Sequence, residues 1–250
     1  MKFSDMRHSE KKCDEVHYNV TKYNAKYRKH RKWQGRSLKK QQQKPGRKGL
    51  WKMDINTNLN KSLEENQKMV VNDREYEIQK LLGKGKGGYS YLARDEAGEY
   101  VLKQIHHEPC EYYRFGNKME AEINDYRRLR EIGIRMPVMI DVDLERERIL
   151  KEYIRGDTIY EIILRDRMQP AYMDQLRAMC RLLYTANTNI DYFPTNFVVQ
   201  NGELYYIDYE CNQYMEEWNF ENWGIQYWSK TQKFLEYALN STILAEQDRR

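Results

Sequence analysis

The chain contains, in one order along its length, residue types that suit the binding of phosphate groups and magnesium. They form a glycine-rich loop, then a lysine, a glutamate, an aspartate with a nearby asparagine, and a second aspartate. These residues are Gly83, Gly85, Gly88, Lys103, Glu122, Asp191, Asn196 and Asp208. Glycines let main-chain amides approach phosphates, lysine adds positive charge, and hard oxygen atoms bind Mg²⁺. One element alone means little because glycines also mark turns, but together they predict a site for ATP and Mg²⁺.

Lys103 and Glu122 are predicted to form an ion pair. Lys103 is flanked by apolar residues in a predicted strand soon after the glycine loop, and an enclosed cation needs a charged partner. Glu122 is favoured over Glu120, because residues two apart on a helix do not share a face. Tyr126 and Leu129 follow Glu122 at spacings that turn the same face inward. A surface lysine is the alternative interpretation.

The second half of the sequence supplies candidate metal ligands and a candidate base. Asp208 follows the apolar segment 204–207, which would deliver its carboxylate into a cleft. Asn196 lies five residues after Asp191. We interpret Asp208 and Asn196 as magnesium ligands and Asp191 as the base for an incoming hydroxyl group. Asp208 could instead be a turn residue, and Asn196 a turn or capping residue.

Hydrophobic periodicity predicts an α+β fold. Five strands and one helix are expected over residues 69–154, and a reduced, mainly helical part over residues 155–250. The predicted strands cover residues 75–82, 89–94, 99–105, 138–142 and 148–154, and the predicted helices cover residues 118–132 and 171–185. Gly133 is the expected C-cap of the first helix, and Asn201-Gly202 is expected to turn a hairpin. The spacing of Phe220, Trp223 and Tyr227 favours a further helix.

Charge is distributed unevenly along the chain. Residues 1–70 carry 19 Lys and Arg against 7 Asp and Glu, a formal charge of +12, whereas residues 71–250 carry 24 against 31, a formal charge of −7. Residues 14–33 resemble a basic amphipathic helix, and residues 34–68 are polar enough to be a linker. We therefore expect a domain boundary near Met69. The arm over residues 1–68 could bind RNA, an anionic membrane surface or the acidic body, or remain a solvated tail.

Cysteine usage and hydropathy indicate a soluble, cytoplasmic protein. The four cysteines are scattered and form no CxxC pair, so neither a disulfide framework nor a thiolate metal site is expected. The N-terminal residues have no apolar stretch typical of a signal peptide, and no apolar run approaches the length of a transmembrane segment.

Residues 72–230 resemble the protein-kinase-like superfamily. The run from Glu122 to Gly133-Ile134, followed by Pro137, is similar to the small atypical kinases of the RIO type and to the small kinase associated with tRNA threonylcarbamoyl modification. In contrast, residues 207–210, Ile-Asp-Tyr-Glu, look more like the choline and aminoglycoside phosphotransferases.

The resemblance implies a two-lobed kinase-like fold and a place for adenine. Residues 151–154, followed by Gly156, resemble the hinge of the small kinases, whose main chain contacts adenine. Glu152 and Ile154 are therefore the implied adenine-binding residues.

The sequence also departs from ordinary protein kinases. Asn189-Ile190 precedes Asp191 where those enzymes have His-Arg, so control through a phosphorylated activation loop is not expected. Phe193 stands where protein-specific kinases usually carry lysine, and only 42 residues follow Asp208. We expect an ATP-dependent kinase acting on protein serine or threonine, or on itself. The alternatives are a small-molecule hydroxyl kinase and a nucleotide-binding pseudokinase.

Overall fold

The computed structural model describes residues 67–85, 87–107 and 117–247. Within these ranges an antiparallel sheet comes first, and helices, short hairpins and 3-10 turns follow it. The predicted α+β class is confirmed. The predicted basic helix over residues 14–33 and nearly all of the predicted linker over residues 34–68 lie outside the described residues.

The sheet contains six strands in the order β1-β2-β3-β4-β6-β5, all antiparallel. Their bounds are β1 Lys68–Val71, β2 Arg74–Lys84, β3 Gly88–Arg94, β4 Glu99–Ile105, β5 Met139–Asp143 and β6 Arg148–Glu152. The prediction of five strands is therefore wrong by one. The additional strand, β1, pairs with β2 across a turn at Asn72, which adopts a positive φ of 51°. The expected domain boundary at Met69 falls inside β1.

The two faces of the sheet differ in character. Across β4 and β6, Leu102 lies opposite Leu150, and Lys103 lies opposite Ile149. Directly opposed residues project to the same face, and the face alternates along each strand. Leu102 and Leu150 belong to an apolar cluster together with Val71, Tyr76, Ile78, Tyr91 and Ala93. Lys103 and Lys151 therefore share the other face.

Helix α1 spans Lys118–Ile132, the range that the sequence predicts. Asn117 caps its first turn, since the Asn117 side-chain oxygen accepts from the Glu120 N–H at 3.1 Å. Gly133 ends the helix with φ 90°, and the next N–H, of Ile134, returns to the Leu129 carbonyl at 3.0 Å. Both ends are thus fixed by local sequence.

Three further contacts attach α1 to its surroundings. The Tyr126 hydroxyl accepts from the Met139 N–H at 3.2 Å, on β5. Asp125 accepts from the Cys211 N–H at 3.3 Å. Arg128 donates to the Thr188 hydroxyl at 2.8 Å. The helix is therefore bonded both to the six-stranded sheet and to the segments that follow it.

The rest of the described chain surrounds a second apolar core. Its elements are β7 Asp157–Thr158, α2 Ile159–Leu164, α3 Pro170–Thr185, β8 Thr188–Ile190, β9 Phe197–Gln200, β10 Glu203–Tyr206, β11 Cys211–Gln213 and α4 Gln232–Gln247. Helix α3 corresponds to the predicted helix over residues 171–185. The predicted hairpin is present as β9 and β10, with Asn201 and Gly202 both at positive φ. None of the helices in the described ranges has the length and apolar character needed to cross a membrane.

The predicted helix through Phe220, Trp223 and Tyr227 is absent from the described structure. Two 3-10 turns, Glu216–Trp218 and Gly224–Tyr227, occupy the region instead. The Asn219 side chain accepts from the Asn222 N–H at 2.8 Å, which forms a local turn that competes with helix formation. The aromatic spacing therefore reflects packing around successive turns.

Candidate functional site

Lys103 and Glu122 form a buried ion pair between β4 and α1. The Lys103 Nζ lies 2.7 Å from both carboxylate oxygens of Glu122. Their side chains are only 13% and 10% exposed. Strand alternation turns Lys103 away from the apolar cluster, and the helix presents Glu122 to the same face of the sheet. The structure thus brings Lys103 to Glu122, as the sequence predicts.

The ammonium group of Lys103 is held charged by several carboxylates. Burial opposes its charge, but Glu122, Asp208 and Glu210 outweigh that effect and raise the pKa of Lys103. Asp208 and Glu210 are 105 and 107 residues away in sequence. Their influence shows that the fold brings the predicted metal ligand close to the predicted phosphate-binding lysine.

The glycine-rich segment forms the tip of the hairpin between β2 and β3. Gly83 lies within β2 and Gly88 within β3, and Gly85 and Gly87 lie between the two strands. The Gly85 N–H donates to the Gly88 carbonyl at 2.9 Å. A Cβ atom added at Gly87 would lie 3.6 Å from the Lys103 Nζ. The hairpin tip therefore covers the lysine of the buried pair.

The glycines at the two ends of this segment have different steric surroundings. A Cβ at Gly88 would lie 2.3 Å from the Gln104 carbonyl oxygen, whereas a Cβ at Gly83 would meet nothing within 4 Å. We expect Gly88→Ala to destabilise the fold by roughly 1–3 kcal/mol, because the crowded atom belongs to the main chain. Gly83→Ala should be neutral or stabilising by up to about 1 kcal/mol. Urea unfolding checks both, and equal losses would contradict the close approach at Gly88.

Asp191 and Asn196 are joined to the segment that carries Asp208. The Asn196 side-chain amide donates to the Asp191 main-chain oxygen at 3.3 Å. The Asn196 main-chain oxygen accepts from the Ile207 N–H at 2.9 Å. Asp191 is exposed, and its carboxylate accepts from the Phe193 N–H at 3.0 Å. The structure therefore brings Asp191, the predicted base, close to Asn196 and to the segment of Asp208, the two predicted magnesium ligands.

Tyr206 provides a second sign that these carboxylates cluster. Its pKa is raised well above the usual range, first by burial and then by the negative charges of Asp208, Asp191 and Glu210. The Tyr206 hydroxyl donates to the Glu210 main-chain oxygen at 2.8 Å. Asp208 itself is half-buried and accepts the N–H of Tyr209 at 2.8 Å. This contact orients the Asp208 carboxylate.

The implied adenine-binding residues lie where β6 ends. Glu152 is the last residue of β6, and its carboxylate accepts from the Val138 N–H at 3.1 Å. Ile154 is buried. Gly156 approaches β9 so closely that an added Cβ would lie 1.9 Å from the Val199 carbonyl oxygen. The Glu152 N–H also donates to the Val138 carbonyl at 2.9 Å. Both the side chain and the N–H of Glu152 are therefore committed to the fold, so the candidate contact with a base is the main chain of the residues that follow, up to Ile154.

Lys151 is a site residue that sequence reasoning did not identify as functional. Its Nζ donates to the Ile207 main-chain oxygen at 2.8 Å and lies 4.6 Å from the centre of the Tyr209 ring. Burial, and then the positive charge of Lys103, lower the pKa of Lys151 to about 8. Glu122 and Asp208 act in the opposite direction and only partly offset this effect. The pairing register of β4 and β6 was the missing signal, because it places both lysines on one face.

A group of aromatic side chains begins at Phe193, whose N–H donates to the Asp191 carboxylate. Phe193 contacts Tyr237 and Tyr227, with ring centres 4.6 and 5.0 Å apart. Trp223 extends this group to Trp218, with 6.0 Å between their ring centres. The Trp218 side chain donates to Glu217 at 2.8 Å and is 51% exposed. A broad aromatic surface thus begins two residues from the candidate base.

The oxygen donors present fit a magnesium ion that is shared with phosphate. Asp208 and Asn196 offer one carboxylate and one amide, and Mg²⁺ usually takes one or two protein ligands beside phosphate and water. Lys103, whose pKa is raised, carries a positive charge of the kind that attracts phosphate. Among the described residues, no group of three or more His, Cys, Asp and Glu side chains is placed to hold a metal ion.

No family model matches the chain, and no curated protein matches it.

Proposed function

We propose that the protein is an ATP-dependent phosphotransferase with a two-lobed kinase-like fold. The observation that carries the proposal is the buried Lys103–Glu122 pair, because Glu122 and then Asp208 raise the pKa of Lys103 and so keep it charged. A fixed cation near a carboxylate is an arrangement that could serve a phosphate and its Mg²⁺ together. Residues 69–154 would form the first lobe and residues 155–250 the second.

Each side chain then has a distinct role. Lys103 would hold a phosphate oxygen, while Glu122 keeps its ammonium group in place. Asp208 and Asn196 would hold Mg²⁺, which when bound offsets phosphate charge and aligns the transferred group. The hairpin tip at Gly85 and Gly87 would cover the phosphates, and the main chain near Glu152 and Ile154 would contact adenine.

Asp191 would accept the proton of the incoming hydroxyl group. Its carboxylate is exposed, and it is fixed by the Phe193 N–H and by the bond from Asn196 to its main chain. A general base must lie within hydrogen-bonding reach of the proton that it removes. Because Asp191 is exposed, it would be accessible to an acceptor that enters from solvent.

The acceptor we favour is a serine or threonine hydroxyl of a protein, including the chain itself. A second candidate is a small alcohol, and the aromatic surface beside Asp191 supports it. The rings of Trp218 and Trp223, next to Glu217, suit a small organic cation that carries a hydroxyl group. The same surface can also receive an apolar side chain of a peptide.

Phosphate transfer from labelled ATP tests the proposal directly. The full chain is incubated with Mg²⁺ and γ-labelled ATP alone, with protein acceptors and with small alcohols, and each product is separated and counted. We expect Lys103→Met to lower turnover by about 10²-fold, since it removes one preorganised cation from the transferred phosphate. Unchanged turnover would show that Lys103 is wrongly assigned.

Two controls separate chemistry from folding. Lys80→Met changes an exposed lysine of the same sheet and should leave turnover intact. Lys103→Met also leaves Glu122 buried without its cation, which destabilises a fold. Adding Glu122→Gln should recover part of that stability without restoring turnover. A wild-type chain that binds Mg-ATP but labels no acceptor would instead be a nucleotide-binding protein without catalysis.

A further inference from the structure

Lys151 is an unusual residue for its position. It is a lysine on an inner strand of the sheet, only 6% exposed, and it carries no carboxylate partner at ion-pair distance within the described residues. Burying an ammonium group costs free energy that an apolar side chain of the same length would not. Any role of the Lys151 ammonium group therefore depends on the groups that it contacts.

Those contacts lie on both sides of Asp208. The Lys151 Nζ donates to the main-chain oxygen of Ile207 at 2.8 Å, and its charge lies 4.6 Å from the centre of the Tyr209 ring. The Tyr209 hydroxyl in turn donates to the Pro137 main-chain oxygen at 2.9 Å. One side chain of the sheet thus holds the residues before and after the proposed metal ligand.

The same segment orients the carboxylate itself. The Tyr209 N–H donates to the Asp208 carboxylate at 2.8 Å. The direction of this N–H depends on where the main chain of Tyr209 lies, and Lys151 contacts both neighbours of Asp208. A shift of residues 207–209 would therefore change the direction of the Asp208 carboxylate.

We propose that Lys151 is a positioning residue, which places the Asp208 carboxylate for Mg²⁺ by holding Ile207 and Tyr209 against the sheet. The inference rests on the proposed function, because it assigns Asp208 to the metal. Lys151 acts through the main chain and touches no reacting atom. Its effect should appear as a change in magnesium requirement and in local order, even before turnover is measured.

Lys151→Met tests the proposal, because methionine has similar length but cannot donate a hydrogen bond. In the ligand-free full chain, hydrogen exchange of a peptide covering residues 204–212 should accelerate about tenfold, as expected for one lost hydrogen bond. The Mg²⁺ concentration that gives half of the ATP-induced thermal shift should rise several-fold. The melting temperature of the ligand-free variant should not fall, since a buried charge has been removed.

Lys118→Met is the matched control. Lys118 is also buried, and its Nζ donates to a main-chain oxygen, that of His106, at 2.6 Å. This contact lies outside residues 207–209. The control should leave both the exchange of residues 204–212 and the Mg²⁺ requirement at wild-type values.

The outcomes are distinguishable. Faster exchange together with a higher Mg²⁺ requirement, in Lys151→Met alone, supports the positioning role. Unchanged exchange, or faster exchange with an unchanged Mg²⁺ requirement, overturns it. If wild-type protein shows no Mg-dependent shift with ATP, the proposed function fails for wild type and variant alike, and the positioning role fails with it.

Discussion

Asp208→Asn is expected to reduce phosphate transfer by about 10³-fold or more. A metal ion contributes several kcal/mol to transition-state stabilisation, and each 1.4 kcal/mol corresponds to a factor of ten in rate. The substitution removes the negative charge that binds Mg²⁺ but retains an oxygen that can accept the Tyr209 N–H. The fold should therefore survive. Initial rates at saturating ATP, over a range of Mg²⁺ concentrations, provide the measurement.

Asp174→Asn is the matched control for this substitution. Asp174 is an exposed carboxylate on α3, with a side chain that is 74% exposed. Its replacement should leave the rate and the Mg²⁺ dependence unchanged. Recovery of wild-type activity by Asp208→Asn at high Mg²⁺ would limit Asp208 to a modest role in affinity, and full activity at low Mg²⁺ would refute its assignment.

Asp191→Asn should slow phosphate transfer by roughly 10²–10⁴-fold while Mg-ATP still binds. General-base catalysis typically contributes an effect of this size. The amide oxygen left by the substitution can still accept the Phe193 N–H, so the main chain near Asn196 should keep its place. Turnover and the ATP-induced thermal shift are measured on the same preparation. A rate within a few-fold of wild type would remove Asp191 from the chemistry.

The two substitutions should also differ in their effect on nucleotide binding. Asp208→Asn should weaken the Mg-dependent part of ATP binding, whereas Asp191→Asn should leave it intact. Equal loss of nucleotide affinity in both variants would contradict the division between metal ligand and base. The structure supports that division because Asp208 is half-buried near Lys103, while Asp191 is exposed beside the aromatic surface.

Helix α1 could be predicted from sequence to the residue, because both of its ends are local features. Asn117 supplies a capping oxygen, and Gly133 supplies the left-handed conformation that ends the helix. The apolar stripe between them fixes which face turns inward. The same stripe identified Glu122 as the partner of Lys103, so the ion pair could be predicted as well.

The sixth strand, β1, was harder to predict because it is short and is stabilised by a tertiary contact. β1 has only four residues and follows a polar, basic stretch, so its periodicity is brief. It is stabilised by pairing with β2, which is a tertiary contact. The turn residue Asn72 was the local signal, since asparagine tolerates positive φ.

The environment of Lys151 could not be predicted from local sequence. That environment depends on the register of β4 with β6 and on the contact with the main-chain oxygen of Ile207, which lies 56 residues away in sequence. Phe220 and Trp223 illustrate the converse case, because their spacing matches a helix although they lie in the turn between two 3-10 segments. Periodicity reports which side chains are buried, and more than one backbone geometry can satisfy it.

The attachments of α1 bear on how such a site could be regulated. The helix is bonded to Lys103 through Glu122, to Met139 through Tyr126 and to Cys211 through Asp125. Swinging it outward would break all three contacts at once and leave charged groups buried without partners. The ion pair is therefore one of several contacts that together fix the position of α1. Under the proposed function, control of the protein would act on the entry of ligands and not on the position of this helix.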